Sequence, residues 1–130
     1  MKIPENLKYT NDHEWIRVEG LTAYVGITDY AQDQLGEIIF VDVAAEMEGE
    51  IIERQNVFGS IEAVKTVSDL LAPVDGKVLE VNKNLENQPE KVNSDPYGEG
   101  WIIQMEILKL YQLDELMTAA QYCEFTAQNK

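Results

Sequence analysis

The sequence predicts a mainly β domain with a short internal helix and a C-terminal helix. Most of the 130-residue chain consists of short runs rich in valine, isoleucine and aromatic residues, and glycine, proline and asparagine separate these runs. That alternation is typical of strands joined by turns. The length suits one hydrophobic core and leaves no room for a separate catalytic domain. We therefore expect residues 1–130 to form one domain.

Apolar runs predict the strands, and capping residues predict the helices. Thr28 can cap the internal helix and Gly36 can end it, while Thr118 and Gln121 fit a capping box. We expect residues 82–100, which are rich in asparagine and proline, to form a long ordered loop. The predicted elements are a hairpin over residues 9–27, a helix over 29–35, strands at 38–43 and 51–53, a hairpin of 57–64 and 66–71, strands at 78–81 and 101–107, and a helix after 118.

The C-terminal helix carries the only cysteine of the chain. Cys123 has no second cysteine with which to form an internal disulfide and no neighbours at metal-ligand spacing. We therefore expect it to pack within the protein. The predicted buried stripe of this helix consists of Ala119, Tyr122, Cys123 and Phe125.

The chain is strongly acidic. It has 10 Lys and Arg residues against 24 Asp and Glu residues, which gives a formal net charge of -14. Such a charge repels phosphate backbones and anionic membrane surfaces, so we expect no nucleic acid and no membrane as partners. With 45% hydrophobic residues the chain is not expected to be disordered. Its acidic surface should instead steer it toward basic docking faces.

The sequence contains no recognisable targeting segment. The first residues lack the apolar core of a signal peptide and the arginine-rich character of a transit peptide. No stretch approaches the roughly 20 apolar residues that span a bilayer. We therefore expect a cytoplasmic protein.

Lys65 is the most informative single residue. It lies at the centre of the second predicted hairpin, with Val64 and Thr66 on either side. A lysine held at a hairpin tip by paired strands is a rigid, convex attachment point for a covalent cofactor. A solvated surface lysine is the alternative interpretation. Gly59 and Gly76, which flank this hairpin, are predicted to occupy a bulge or a tight turn.

His13 is the sole histidine and invites an acid/base interpretation. No serine, cysteine or acid in the sequence is identifiable as its catalytic partner, so a structural or surface role is favoured. The chain also lacks the sequence patterns of a phosphate-binding glycine loop, a zinc site or an EF-hand.

Five segments stand out in a fixed order along the chain. They are residues 9–15 (YTNDHEW), 25–41 (VGITDYAQDQLGEIIFV), 62–69 (EAVKTVSD), 72–76 (APVDG) and 92–101 (VNSDPYGEGW). Together they resemble the H-protein family of the glycine cleavage system, a family of lipoyl carriers, over nearly the whole chain. The chain departs from the family at Ala63, where serine is usual, at Gln34, where some relatives carry histidine, and at residues 42–46, which replace a commoner proline-containing turn.

The resemblance implies a fold and a modified residue. The fold is a barrel-sandwich hybrid of two antiparallel sheets, which agrees with the predicted strands. The cofactor is lipoate, amide-linked to Lys65 and flanked on the hairpin by Glu62, Val64 and Thr66. None of the departures touches this lysine.

The resemblance also implies a relay among enzymes, in which this chain is a carrier and not an enzyme. A pyridoxal-phosphate-dependent glycine decarboxylase would load an aminomethyl group onto the lipoyl arm. An aminomethyltransferase would pass the carbon to tetrahydrofolate, and dihydrolipoamide dehydrogenase would reoxidise the arm. A lipoyl-attaching enzyme would install it. The hard chemistry belongs to the cofactors and partner enzymes.

A loaded arm needs a protected place, because its cargo could lose ammonia to water. By resemblance, we expect Glu14 and Asp69 to help line a cleft beside the hairpin. A carboxylate near a primary ammonium favours its charged form. The alternative interpretation is that both acids are surface charges.

Three other functions remain open at this point. A biotinyl carrier would place methionines on both sides of the lysine, and Val64 and Thr66 argue against it. An H-like lipoyl protein could instead donate lipoyl groups to other proteins or act with different partners. A small hydrolase that uses His13 and acidic residues would show activity by itself.

Overall fold

The computed structural model describes residues 1–128 and contains nine strands and three α-helices in that part of the chain. The strands are β1 (Lys8–Tyr9), β2 (Glu14–Glu19), β3 (Thr22–Ile27), β4 (Ile38–Asp42), β5 (Ile51–Ile52), β6 (Val57–Ala63), β7 (Val67–Leu71), β8 (Gly76–Val81) and β9 (Ile103–Ile107). The helices are α1 (Asp29–Leu35), α2 (Lys91–Ser94) and α3 (Ala119–Gln128). Three 3-10 helices lie at Ala45–Met47, Lys83–Glu86 and Leu110–Glu115.

The strands form two antiparallel sheets. The larger has six strands in the order β1-β2-β3-β9-β8-β5, and the smaller has three in the order β4-β6-β7. The prediction of a mainly β fold with two antiparallel sheets, a short internal helix and a C-terminal helix is therefore confirmed. Because β7 is at the end of the smaller sheet, one of its edges carries no neighbouring strand.

The core lies between the two sheets. Ile16 and Ile103 from the larger sheet and Ile61 and Leu70 from the smaller one belong to one buried cluster. Each is at most 2% exposed, so the alternating apolar positions of both sheets face each other. This packing fixes β6 and β7, and with them the hairpin that carries Lys65.

The predicted helix caps are confirmed. The Ala31 amide donates to Thr28 Oγ1 at 3.1 Å, and Gly36 ends α1 with a φ of 80°. Before α3 the Gln121 amide donates to Thr118 Oγ1 at 3.2 Å, and the Thr118 amide donates to the Gln121 side chain at 2.9 Å. This reciprocal pair is the capping box.

The long loop predicted for residues 82–100 is wrong in part, since it contains a 3-10 helix and α2. The Asn82 side chain accepts a hydrogen bond from the Asn84 amide and so begins the 3-10 helix. Leu85 and Val92 are 2% and 0% exposed. Burial of these two apolar side chains stabilises short helices that the polar composition concealed.

The buried placement of Cys123 is also wrong, because its thiol side chain is exposed. The buried positions of α3 are Ala119, Tyr122 and Thr126. Cys123 lies about 100° around the helix from Tyr122 and faces solvent. Phe125 is partly buried, and it packs against the same cluster as Tyr122.

The two glycines beside the hairpin differ in their roles. Gly59 adjoins a register shift in β6, which confirms the predicted bulge. Gly76 instead lies within the regular pairing of β8 with β9, opposite Ile107. A Cβ atom there would approach the Glu106 carbonyl oxygen to 2.6 Å. The tight turn considered for Gly76 is therefore wrong, and close backbone packing explains the glycine.

In the part of the chain that the structure describes, no helix has the length and apolar character needed to cross a membrane.

Candidate functional site

Lys65 is exposed at the tip of the hairpin formed by β6 and β7. Two backbone hydrogen bonds fix this tip. The Ala63 amide donates to the Thr66 carbonyl at 2.8 Å, and the Val64 amide donates to the Glu37 carbonyl at 3.2 Å. The second bond ties the tip to the segment just before β4. The Lys65 backbone is thus held from two directions while its side chain projects into solvent.

The flanking residues Glu62, Val64 and Thr66 are exposed like Lys65 itself. Val64 and Lys65 both have negative φ angles, so the turn does not depend on glycine-like backbone geometry. The tip is therefore a convex platform on which the amine is reachable from several directions.

The charged residues of the smaller sheet are acidic. The three strands of the smaller sheet contain no lysine or arginine. Four exposed carboxylates lie on or next to this sheet, at Glu37, Asp42, Glu62 and Asp69. Lys65 is thus the one lysine or arginine of the hairpin formed by β6 and β7.

Glu14 is the unusual carboxylate of the molecule. It is 3% exposed, at the start of β2. Its Oε2 accepts a hydrogen bond from the Leu71 amide at 2.8 Å, and its Oε1 is the one buried side-chain polar atom in residues 1–128 that has no hydrogen-bond partner. Burial raises the pKa of Glu14 to about 8, against the opposing effect of the Leu71 hydrogen bond. The group is therefore largely protonated at neutral pH.

The open edge of β7 connects Lys65 with Glu14. In an antiparallel pair, alternate residues direct their amides toward the partner strand and away from it. The Leu71 amide points away from β6 toward Glu14, so the amides of Val67 and Asp69 point to the same open edge. A line of backbone donors and acceptors thus runs from the hairpin tip to the buried carboxyl group.

Asp69 and Glu14 occupy different positions beside this edge. Asp69 is exposed, opposite Ser60 of β6, whereas Glu14 is buried at Leu71. Two residues of strand separate Asp69 from Leu71, a distance of about 7 Å. The structure therefore places the two predicted cleft residues along the same strand edge. The surface-charge interpretation describes Asp69 and does not describe Glu14.

His13 belongs to a partly buried hydrogen-bonded network rather than to a catalytic arrangement. Its Nδ1 lies 2.8 Å from the Tyr122 hydroxyl, which lies 2.7 Å from Thr28 Oγ1. The ring also packs against Tyr30 and Phe125. Burial lowers the pKa of His13, and nearby Asp12 partly opposes this effect. Residues 1–128 contain no group of three His, Cys, Asp or Glu side chains that could hold a metal ion.

We expect Tyr122→Phe to destabilise the protein by about 1–2 kcal/mol, because it removes the hydroxyl that hydrogen-bonds both the partly buried His13 Nδ1 and the buried Thr28 Oγ1. Urea denaturation followed by circular dichroism measures the change. Tyr111→Phe is the matched control, since Tyr111 is 59% exposed and should unfold like the parent. Equal stability of the two variants would contradict a structural role for this network.

Two backbone groups of this site are not predictable from the sequence. One is the Leu71 amide that binds Glu14, and the other is the Glu37 carbonyl that binds the tip. Both are backbone groups, whose identity carries no signal in the sequence. Only the strand order and register bring them to these positions.

The fold and the site together define a class of protein: a small two-sheet domain that presents one lysine on an anchored hairpin. The family model described as glycine cleavage H-protein matches residues 7–129. The glycine cleavage system H protein of Bacteroides fragilis is 59% identical over 122 residues, which cover 94% of this chain and 95% of that protein. That of Salinibacter ruber is 51% identical over 126 residues, which cover 97% and 100%.

A solved structure agrees with these sequence relatives. The crystal structure of a glycine cleavage system H protein from Mycobacterium marinum superposes with a TM-score of 0.85 at 36% identity, covering 96% of this chain and 99% of that one. The chain therefore belongs to the glycine cleavage H-protein family.

Proposed function

We propose that this chain is the lipoyl-bearing carrier of a glycine cleavage system, formed as one carrier domain with lipoate amide-linked to Lys65. It would shuttle the aminomethyl group from a pyridoxal-phosphate-dependent glycine decarboxylase to the tetrahydrofolate-dependent aminomethyltransferase. Dihydrolipoamide dehydrogenase and a lipoyl-attaching enzyme complete the set of partners. Membership of the glycine cleavage H-protein family supports a role in that system. The exposed lysine on its anchored hairpin supports Lys65 as the attachment site.

The observation that carries the proposal is the path from Lys65 along the open edge of β7 to the unpartnered Oε1 of Glu14. A buried polar atom without a partner is costly. Its persistence is explained if a ligand supplies the missing partner. The residues present therefore fit a lipoyl arm, which Lys65 would tether and for which Glu14 would provide a polar partner.

A bound lipoyl group would supply the dithiolane chemistry by which the cargo carbon is carried. The protein positions the reacting group. Lys65 tethers the reacting group, and tethering raises its effective concentration once a partner docks, so modest affinity for each enzyme is sufficient. The acidic surface provides attraction toward basic docking faces.

Glu14 would recognise the cargo through its charge. The cargo carries a primary ammonium, and an ammonium next to a carboxyl group favours the ionised carboxylate. A carboxyl that is largely protonated when empty would therefore ionise on docking and release a proton. The resulting ion pair would hold the cargo nitrogen protonated and protected from water.

We infer a cytoplasmic location, which the exposed free thiol of Cys123 supports because reducing compartments keep such thiols reduced.

A reconstituted assay tests the function. Lipoylated and unlipoylated protein are each combined with purified decarboxylase, transferase, dehydrogenase, glycine and tetrahydrofolate. The proposal requires glycine-dependent turnover with the lipoylated form alone. If the lipoylated form supports no turnover but passes its lipoyl group to other acceptor domains, the protein is a lipoyl donor and the carrier proposal fails.

A second experiment tests the role of the two carboxylates. We expect loaded Glu14→Gln to release ammonia faster than the parent in the absence of the transferase, because glutamine cannot form the ion pair. Asp69→Asn should have a smaller effect, since its exposed side chain is screened by solvent. Loading and folding are verified first. Release as slow as in the parent from both variants and from their double variant would show that these carboxylates do not protect the cargo.

A further inference from the structure

Four exposed apolar side chains lie on the Lys65 hairpin and on the neighbouring strand β4. Val64 and Val67 on the hairpin are 64% and 62% exposed, and Ile39 and Phe40 on β4 are each 45% exposed. We call these four residues the tip patch. An exposed apolar cluster of this kind marks an interaction site more often than isolated apolar residues do.

The backbone of β4 creates half of the tip patch. The pairing of β4 with β6 shifts register between Ile38 and Phe40, so Ile39 is an extra residue in a β-bulge. In a regular strand one of two consecutive residues faces the core. The bulge breaks this alternation and leaves both Ile39 and Phe40 exposed. Phe40 then lies in the same row as Glu62 and Val67 across the three strands.

The rim of the tip patch is acidic. Glu37, Asp42, Glu62 and Asp69 are exposed, and none of them takes part in the ion pairs of residues 1–128. An apolar centre with an acidic rim is complementary to an apolar surface bordered by lysine and arginine.

The length of the Lys65 side chain decides which partner enzyme must contact the tip patch. An enzyme that forms the amide bond must bring its activated acyl carbon to Lys65 Nζ, which is only a four-carbon stem from the backbone. That enzyme must therefore cover the residues next to Lys65. Enzymes that react with the far end of a lipoyl arm can dock farther away.

We propose that the tip patch is the docking surface for the enzyme that acylates Lys65. This inference rests on the proposed attachment of lipoate to Lys65. The bulge residues Ile39 and Phe40 supply anchors outside the hairpin, and the carboxylate rim orients a basic partner surface.

The reaction needs an activated lipoyl donor, such as an acyl-adenylate. Deprotonated Nζ attacks the acyl carbon, a C–N bond forms, the C–O bond to AMP breaks, and the amine proton passes to solvent or to a base of the enzyme. No oxidation or reduction takes place.

The test uses a purified bacterial lipoate ligase with ATP, free lipoate and the unlipoylated protein. We expect Phe40→Ser to lower kcat/KM for acylation about tenfold or more, as truncation of an interface anchor does, and to weaken binding of the ligase measured by calorimetry. Ile39→Ser should act in the same direction. Ile51→Ser is the matched control, because Ile51 is 67% exposed on the other sheet, and its kcat/KM should equal that of the parent.

Two further measurements separate docking from other effects. Acetylation of Lys65 by an N-hydroxysuccinimide ester should proceed equally in all variants, since it requires no docking. Thermal unfolding shows whether Phe40→Ser is folded, and Phe40→Asn serves in its place if it is not. Parental kcat/KM and ligase affinity in folded Ile39 and Phe40 variants would overturn the inference.

Different results would overturn the docking inference and the proposed lipoylation of Lys65. If the ligase does not modify Lys65 of the parent protein, the proposed attachment site is wrong. If it modifies Lys65 equally in the parent and in the tip-patch variants, only the docking inference is wrong. The same conclusion applies if these variants are acylated normally but, once loaded, fail with the decarboxylase.

Discussion

Lys65→Arg should abolish lipoylation and reduce glycine-dependent turnover to the level measured without the protein, while the fold stays intact. Arginine retains the positive charge but has no amine that the attaching enzyme can acylate. Lys65 is exposed at the hairpin tip, so its replacement disturbs no buried contact. Intact-mass measurement and the reconstituted assay give the two readouts.

Lys77→Arg is the matched control for this variant. Lys77 is also exposed on a strand, but in β8 of the larger sheet. The Lys77→Arg variant should be lipoylated on Lys65 and support turnover as the parent does. Full turnover by Lys65→Arg would show that another residue carries the reacting group.

Glu14 should make the protein less stable as the pH rises from about 5 to 8. The folded-state pKa of about 8 lies above the unfolded value of 4.5. Between these values the folded state binds more protons than the unfolded state, so the free energy of unfolding falls with increasing pH. At about 1.4 kcal/mol per pKa unit, the loss across this range is several kcal/mol.

Glu14→Gln should remove this dependence. Glutamine retains an oxygen for the Leu71 amide and does not titrate. The difference in unfolding free energy between variant and parent should therefore move in favour of the variant as pH increases. Denaturant unfolding at several pH values measures it, with Glu80→Gln as an exposed control that should follow the parent. A constant difference between Glu14→Gln and the parent across pH 5 to 8 would contradict the raised pKa.

Local signals in the sequence are sufficient for most of the strands, the Lys65 hairpin and the helix caps, whereas β1 is not predicted as a separate strand. Thr28 and Thr118 cap their helices through residues only three positions away. The hairpin around Lys65 likewise depends on neighbouring runs of strand-forming residues. Such short-range features can be predicted because both partners of each contact are close in the sequence.

The functional environment depends on contacts that are distant in the sequence. Glu14 meets Leu71 across 57 positions, and a hydrogen bond to a backbone amide leaves no signature in residue type. The bulge at Ile39 is equally hidden, because residues 38–41 are all apolar and contain no alternation that a bulge could interrupt. Cys123 illustrates a smaller error, since one step around a helix separates a buried position from an exposed one.

The same carboxyl group connects stability with function. A buried Glu14 with an unpartnered oxygen costs the folded protein free energy that an apolar residue would not. Such a cost is expected at a site that binds a cationic ligand. The stability and ammonia-release experiments both probe Glu14, by independent readouts.

Mass spectrometry of protein purified from lipoate-replete cells of its source shows whether Lys65 carries the lipoyl group. We expect one lipoyl adduct per chain in the intact mass, and peptide mapping should place that adduct on Lys65. Protein that is entirely unmodified, or an adduct mapped to another lysine, would show that Lys65 is not the lipoyl attachment site.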